Sequence, residues 1–410
     1  MNYKNNNIVK HVTPIALIAY LVAASIPGLF NLQPGTSKFI IYQVACFVVL
    51  WLYVLANIAR HRARVLMSGP GFRFLIMYLG LMSASLVYVL FAAVQSGDSF
   101  LGMAQFFLPI ALAATLIIGF GKTAITVLDF DRFIRLTLML LVACSIYNIV
   151  VNLDGIMSLT SITGSYQVNF KGFFFNRNVF GYMMAMGIAC TSYLWYKERK
   201  KLYILYALII GVSLLAAMSR GAFVFLAIFL LLFALQVTRS KTKLALGIII
   251  LVVPILLFVS SQPFVQDNLI RADVGTAGRS DLQSAGVRNY LNGNLIFGGG
   301  QESIVALEHE FGASSYHNLY IEMLTTQGII GVATILLLVG YIRVNLKLVK
   351  KSYKVTGSFL VAALIAYLVY SLFESLPLFY ATPNSVLTTY ILIMFPLFMV
   401  NGITTEERGA

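Results

Sequence analysis

Long apolar runs separated by short polar turns dominate the chain. They read Pro14 to Phe30, Phe39 to Asn57, Phe74 to Ala93, Phe100 to Phe120, Phe133 to Val151 and Val179 to Trp195. Six more follow: Leu202 to Met218, Ala222 to Val237, Leu244 to Val259, Tyr320 to Ile342, Ser358 to Leu376 and Ser385 to Val400. Each is close to the roughly 20 residues that carry a helix across about 30 Å of hydrocarbon. The pattern predicts an all-α polytopic membrane protein of about twelve transmembrane helices, one integral membrane domain over residues 1–410. Only Leu202 to Val237 is ambiguous. A single helix of about 36 residues would be about 54 Å long, nearly twice the hydrocarbon thickness. A tight hairpin at Ser219, Arg220 and Gly221 fits better, and it leaves Arg220 at the outer interface.

Composition agrees: 59% of residues are hydrophobic and 11% charged, against about 45–50% and roughly 25% in soluble domains. With the N-terminus inside, only Lys38, Lys171, Arg177, Arg220, Arg271, Arg279 and Arg288 of the 29 Lys and Arg residues fall outside. That asymmetry sets the orientation and makes both termini cytoplasmic. The formal charge of +14 then belongs to cytoplasmic turns lying against anionic headgroups, and nucleic-acid binding is not needed to explain it. Cys46, Cys144 and Cys190 stand singly in apolar runs and read as core residues. The first run reads as an uncleaved signal anchor.

Two outer connections are long, 152–178 and 260–316, and long loops in compact folds are usually functional. Within the second, Leu282, Ala285 and Tyr290 follow a capping-capable Ser280 or Asp281. They predict a short helix over Asp281 to Leu291 lying on the membrane.

Phosphate-loop, HExxH and Gly-x-Ser-x-Gly signatures are absent, which removes soluble-type ATPase and hydrolase readings. Asp129-Phe130-Asp131 spells a glycosyltransferase DxD, but it sits in a short cytoplasmic turn and reads as structural. The outer face collects Arg177, Arg220, Arg279, Arg288, His317, Glu322 and Glu374. Charges at membrane depth are expensive and therefore candidates for function. The plainer readings are an interfacial anchor for Arg220, loop ion pairs for Arg279 and Arg288, and an interface or N-cap residue for His317. His309, between two acids, reads as solvated. Glu322 lies in the first turns of the helix that His317 precedes, and five residues' separation points the two apart. Glu374, near the outer end of a span, is placed to balance an Arg of the site. Gly298-Gly299-Gly300 reads as a turn, with a phosphate nest as the alternative.

Five short motifs in order carry a resemblance. They are Phe175-Asn176-Arg177-Asn178 with Gly181, Ser219-Arg220-Gly221-Ala222, Gly278-Arg279, the Gly298 to Gly300 turn, and His317-Asn318-Leu319-Tyr320-Ile321-Glu322 followed by Gly328 to Gly331. Over roughly 173–342 the chain resembles the O-antigen ligase and O-antigen polymerase superfamily. Arg177 departs from the pattern, where Asn-Pro-Asn is more usual.

The resemblance implies extracytoplasmic transfer of a glycan from undecaprenyl pyrophosphate to a sugar hydroxyl at the cytoplasmic (inner) membrane, without metal or other cofactor. The acceptor would be another lipid-linked repeat unit for a polymerase or a lipid A core for a ligase. A transporter or flippase of lipid-linked sugars is the reading from another class. On this basis His317 is the candidate general base, and Arg220, Arg279 and Arg288 the candidate pyrophosphate ligands. Arg177, Glu322 and Glu374 are supporting residues, and no metal ligands are assigned. Expected partners are the lipid-linked oligosaccharide, the bilayer, and flippase and chain-length regulator proteins, with no nucleic acid.

Overall fold

A computed structural model describes residues 125–157, 170–238 and 278–409, apart from 173, 175, 314, 380 and 381, with scattered helical positions between 19 and 111. The runs expected from Pro14 to Phe120 and at Leu244 to Val259, and the first part of the 260–316 loop, lie outside these residues, scattered positions aside. The described residues are helical, without a strand.

In chain order the helices are α1 (Val127–Val151), α2 (Leu153–Met157), α3 (Arg177–Glu198), α4 (Leu202–Ala217) and α5 (Arg220–Val237). Next come α6 (Arg279–Asn292), α7 (Gly300–Phe311), α8 (Leu319–Ser352), α9 (Lys354–Tyr370), α10 (Pro383–Thr389) and α11 (Phe395–Gly409). A π-turn over Tyr390–Met394 joins the last two. It ends two residues before Pro396, which has no N–H and whose ring would collide with the carbonyl of Leu392 in a regular helix. Among the described residues four helices are long and apolar enough to cross a membrane: α1, α5, α8 and the Pro383–Thr404 stretch.

The 202–237 segment is indeed two helices. Met218 adopts a left-handed conformation at the end of α4, and Ser219 stands at the N-cap of α5. Both helices lie along α3. Gly187 of α3 faces Ile210 of α4, Gly181 faces Ser219 and Ala222, and the Tyr196 hydroxyl bonds the Val237 carbonyl. The chain therefore reverses at Ser219. A Cβ on Gly181 would sit 2.6 Å from that of Ser219, so the small residue is what allows this approach. Because α3 is buried along most of its length, its hydropathy does not need to match lipid, and Thr191, Tyr193 and Cys190 are accommodated there.

Boundaries differ from expectation where charge and helix geometry part company. Expected to stop at Ile342, α8 continues to Ser352 and carries Arg343, Lys347, Lys350 and Lys351 on its last turns. Cations suit that negative end of the helix dipole. The helix expected over Ser358 to Leu376 is α9, which starts at Lys354 and ends at Tyr370. Glu374 thus falls in the turn beyond it.

Packing gathers the charges at two poles. At one pole Asp129 closes a capping box with Thr126 at the start of α1. Asp131 accepts hydrogen bonds from Lys197 at 2.5 Å and Tyr193 at 2.6 Å, and Arg135 pairs with Glu198 at 2.6 Å. The Asp129-Phe130-Asp131 tripeptide lies in the first turns of α1 and not in a turn before it, and it is tied up in helix capping and ion pairing, in keeping with its structural reading. The opposite pole holds the ends of α3, α4, α5, α8 and α9 that carry the outer-face candidates.

A second, smaller core lies at that opposite pole. Leu282, Ala285, Leu307 and Tyr316 bury one another, with Ile304, Ala313 and Ile321 packed alongside. It joins α6 and α7 to the start of α8. The predicted short helix exists, but it begins at Arg279 with Gly278 (φ 77°) at its N-cap and no side-chain cap bond. Ser280 and Asp281 lie inside the first turn, because Gly278 supplies a left-handed turn that neither favours.

Candidate functional site

Glu374 is the centre of the site. Nine-tenths of its side chain is buried. Its Oε1 accepts hydrogen bonds from Arg279 Nη2 at 2.5 Å and Asn178 Nδ2 at 3.0 Å, while Oε2 lies 3.0 Å from His317 Nδ1. Arg279 also donates through Nη1 to the Phe373 carbonyl at 2.7 Å. Four segments distant in sequence thus meet on one carboxylate: the start of α3, the start of α6, the residues before α8 and the turn after α9.

Each participant is placed by local chemistry. Asn176 caps α3 by accepting from the Val179 amide, which sets Asn178 in the first turn. Arg279 is the first residue of α6. Asn318, not His317, caps α8, its side chain accepting from the Tyr320 and Ile321 amides. His317 stands one position outside the helix at φ 51°, a left-handed conformation that costs a non-glycine residue roughly 1–3 kcal/mol. What holds it there is a relay: the His317 amide donates to Ser315 Oγ (3.1 Å), and Ser315 donates to Glu322 Oε2 (2.9 Å). Glu322 therefore supports the turn that carries His317 without touching the imidazole, as their helical spacing predicted. The Leu319 amide donates to the Ser371 carbonyl at 2.9 Å, locking the start of α8 to the end of α9.

Electrostatics decides the tautomer. Glu374 faces a guanidinium, so its carboxylate only accepts, and the nitrogen facing it must carry the proton. His317 is then Nδ1–H, with the Nε2 lone pair turned away from Glu374. One third of the His317 side chain is exposed, so that lone pair can reach a substrate.

Arg220 opens α5 at the same pole. A Cβ on its neighbour Gly221 would meet the Tyr370 ring at 3.0 Å and Glu374 Cγ at 3.4 Å, so the α5 start backs directly onto the site. Arg177 opens α3, one residue before Asn178. Arg288 does not join the cluster: it pairs with Glu310 of α7 at 2.6 Å on an exposed surface. Such an exposed pair contributes little. His309, on the last turn of α7, is exposed as expected.

The triple glycine has a different use from a phosphate nest. Gly298 donates its amide to the Asn294 carbonyl and Gly299 to the Thr325 carbonyl, at 2.7 Å each. The turn docks where α8 is broken, at Gly328 (φ 63°, ψ −154°). A Cβ on Gly298 would lie 2.5 Å from the Gln327 nitrogen, and one on Gly328 2.4 Å from the Ile296 oxygen, so both positions require glycine. Sequence reasoning missed this junction, and it also missed Ser315 and the donor role of Asn178.

Residues 205–336 match the family model described as O-antigen ligase. The match bears out the resemblance to the O-antigen ligase and polymerase superfamily. It covers Arg220, Arg279, the glycine turn, His317 and Glu322 but stops short of Arg177 and Glu374. No curated protein matches the chain. The family match together with four apolar helices among the described residues indicates a multi-pass membrane protein that is similar to the O-antigen ligase family over residues 205–336.

Proposed function

We propose that the protein is an extracytoplasmic glycan polymerase of the cytoplasmic membrane. It transfers oligosaccharide from undecaprenyl pyrophosphate to a sugar hydroxyl of another lipid-linked repeat unit. The observation that carries this reading is the Glu374 bridge, which orients His317 as an Nδ1–H imidazole with Nε2 free beside an arginine-bearing surface.

A sugar hydroxyl is a weak nucleophile at neutral pH. His317 Nε2 removes its proton as the oxygen attacks the anomeric carbon, and the bond to the pyrophosphate oxygen breaks. Glu374 keeps the imidazole in the competent tautomer and stabilises its positive charge. Pyrophosphate leaves with its electron pair, and its growing charge needs planar cations. Arg220 supplies one. Arg279 uses two of its five donors on Glu374 and Phe373, which leaves the rest of its guanidinium edge for phosphate oxygens. Arg288, engaged with Glu310 on an exposed surface, is assigned no phosphate.

A transporter would also use a broken helix. In α8, however, the amides freed by the Gly328 break, those of Ile329 and Ile330, are taken by the Leu295 and Ile296 carbonyls. Little unwound backbone remains there to bind a solute. Purified protein with a lipid-linked oligosaccharide, in EDTA, should produce a ladder of products. A shift that needs added lipid A core would make it a ligase, and no covalent product would end the glycosyltransferase reading.

A further inference from the structure

The turn between α6 and α7 does something that a solvated loop has no need to do. Its four consecutive amides from 296 to 299 all have partners: Ile296 and Phe297 donate to Asn294 Oδ1 at 3.0 Å each, Gly298 to the Asn294 carbonyl, and Gly299 to the Thr325 carbonyl. Its Leu295 and Ile296 carbonyls accept from Ile329 and Ile330 at 3.0 and 3.2 Å. Such saturation is what non-helical backbone requires at membrane depth, where no water can satisfy an open group. The apolar side chains of this stretch are bare, Leu291 64% exposed, Ile296 55% and Leu295 45%, with Asn292 and Asn294 exposed between them.

This surface is continuous with α8. Ile329, bonded to Leu295 through the backbone, is 57% exposed, and Leu336, two turns further along a candidate membrane span, is 67% exposed. The junction lies nine residues past Leu319, about 13 Å down the helix axis. We propose that residues 291–299 form a re-entrant turn whose Leu291, Leu295 and Ile296 side chains are immersed in the acyl chains of the outer leaflet, level with Ile329. The occupant of this apolar surface is lipid hydrocarbon, because the surface extends the lipid-facing stripe of α8. The inference rests on α8 spanning a membrane and not on the chemistry proposed above. Its consequence is that the small core carrying Arg279 and His317 is moored in the bilayer at the edge of the site.

The test replaces Cys46 with Ala and introduces Ile296→Cys, Leu291→Cys or, as a water-facing control on α7, Glu308→Cys. Cys144 and Cys190 are buried and unreactive to a bulky label. Each variant is labelled with an environment-sensitive fluorophore and reconstituted in phosphatidylcholine and phosphatidylglycerol vesicles with nitroxides on the acyl chains. The Ile296 and Leu291 labels should be quenched at least about threefold more by acyl nitroxides than the Glu308 label, and shielded from aqueous iodide. Leu291, which lies outside the glycine junction, serves if Ile296→Cys fails to elute as the parent does. Iodide quenching equal to that at Glu308 would overturn the proposal and make the turn a solvated loop.

Discussion

Replacing Glu374 by Gln tests the site with almost no change of shape. The Gln carbonyl can still accept from Arg279 and Asn178, so fold stability should fall by only about 1 kcal/mol, the difference between a charged and a neutral acceptor. At the other end, an NH₂ group would face His317 Nδ1 across the 3.0 Å now spanned to Oε2. That nitrogen would have to accept, the proton would move to Nε2, and the base would lose its lone pair. A positioned base contributes about 10²–10⁴-fold, which is about 2.7–5.4 kcal/mol of barrier. Glu374→Gln should therefore lower kcat by at least about a hundredfold with the donor KM nearly unchanged. Since the two residues act as a unit, Glu374→Gln with His317→Ala should be no slower than His317→Ala alone. Turnover within tenfold of wild type in proteoliposomes, at equal protein, would refute the tautomer reasoning.

Arg220→Lys should lose most activity at normal expression, because an ammonium cannot reproduce a guanidinium fork on phosphate; near-normal turnover would make Arg220 a membrane anchor. A reporter fused after Gly300 should register outside and one after Lys241 inside, and cytoplasmic location of both would relocate the site. Burial pushes Glu198 up, but hydrogen bonds from Lys200, Arg135 and Tyr203 outweigh it and hold the carboxyl at about 2, below the usual 4.5. Its contribution to stability is then complete above about pH 4.5 and lost as pH falls toward 2. Glu198→Gln should lower the melting temperature at pH 7 but much less at pH 3, and an equal deficit at both would deny the pair a role.

Much of the frame was legible because lipid imposes a length and a charge rule on each span. The reversal at Ser219 followed from helix length and the placement of basic turns, and the structural reading of Asp129-Phe130-Asp131 agrees with its capping and ion pairs, whereas the burial of both carboxylates was not foreseen. The ends of α8 and α9 were not legible. Hydropathy marks where lipid contact stops, whereas hydrogen bonding carried α8 ten residues further among cations. The candidate residues were recognisable by type, but their pairing was not. Glu374 and Asn178 are 196 positions apart, and only tertiary packing sets them on one carboxylate. Gly298 and Gly328 give no sign in sequence that each exists to admit the other's backbone.

The two cores explain why the site forms where it does. Glu374 and Asn178 flank residues of the large bundle core, Tyr370, Leu376 and Val179, whereas Arg279 and His317 flank Leu282 and Tyr316 of the small one. Every polar contact of Glu374 with Arg279 or His317 therefore crosses the seam between them. The large core stabilises the carboxylate's position without fixing the imidazole, and the small core does the reverse. Among the described residues, bonds that set their spacing include the Leu319 amide to Ser371, the Tyr320 hydroxyl to the Leu368 carbonyl, Arg279 Nη1 to the Phe373 carbonyl, and the Glu374 bridge itself. A site built on such a seam can be loosened by a small shift of α6 and α7 without unfolding either core, and the lipid-linked donor proposed above would meet both halves at their junction.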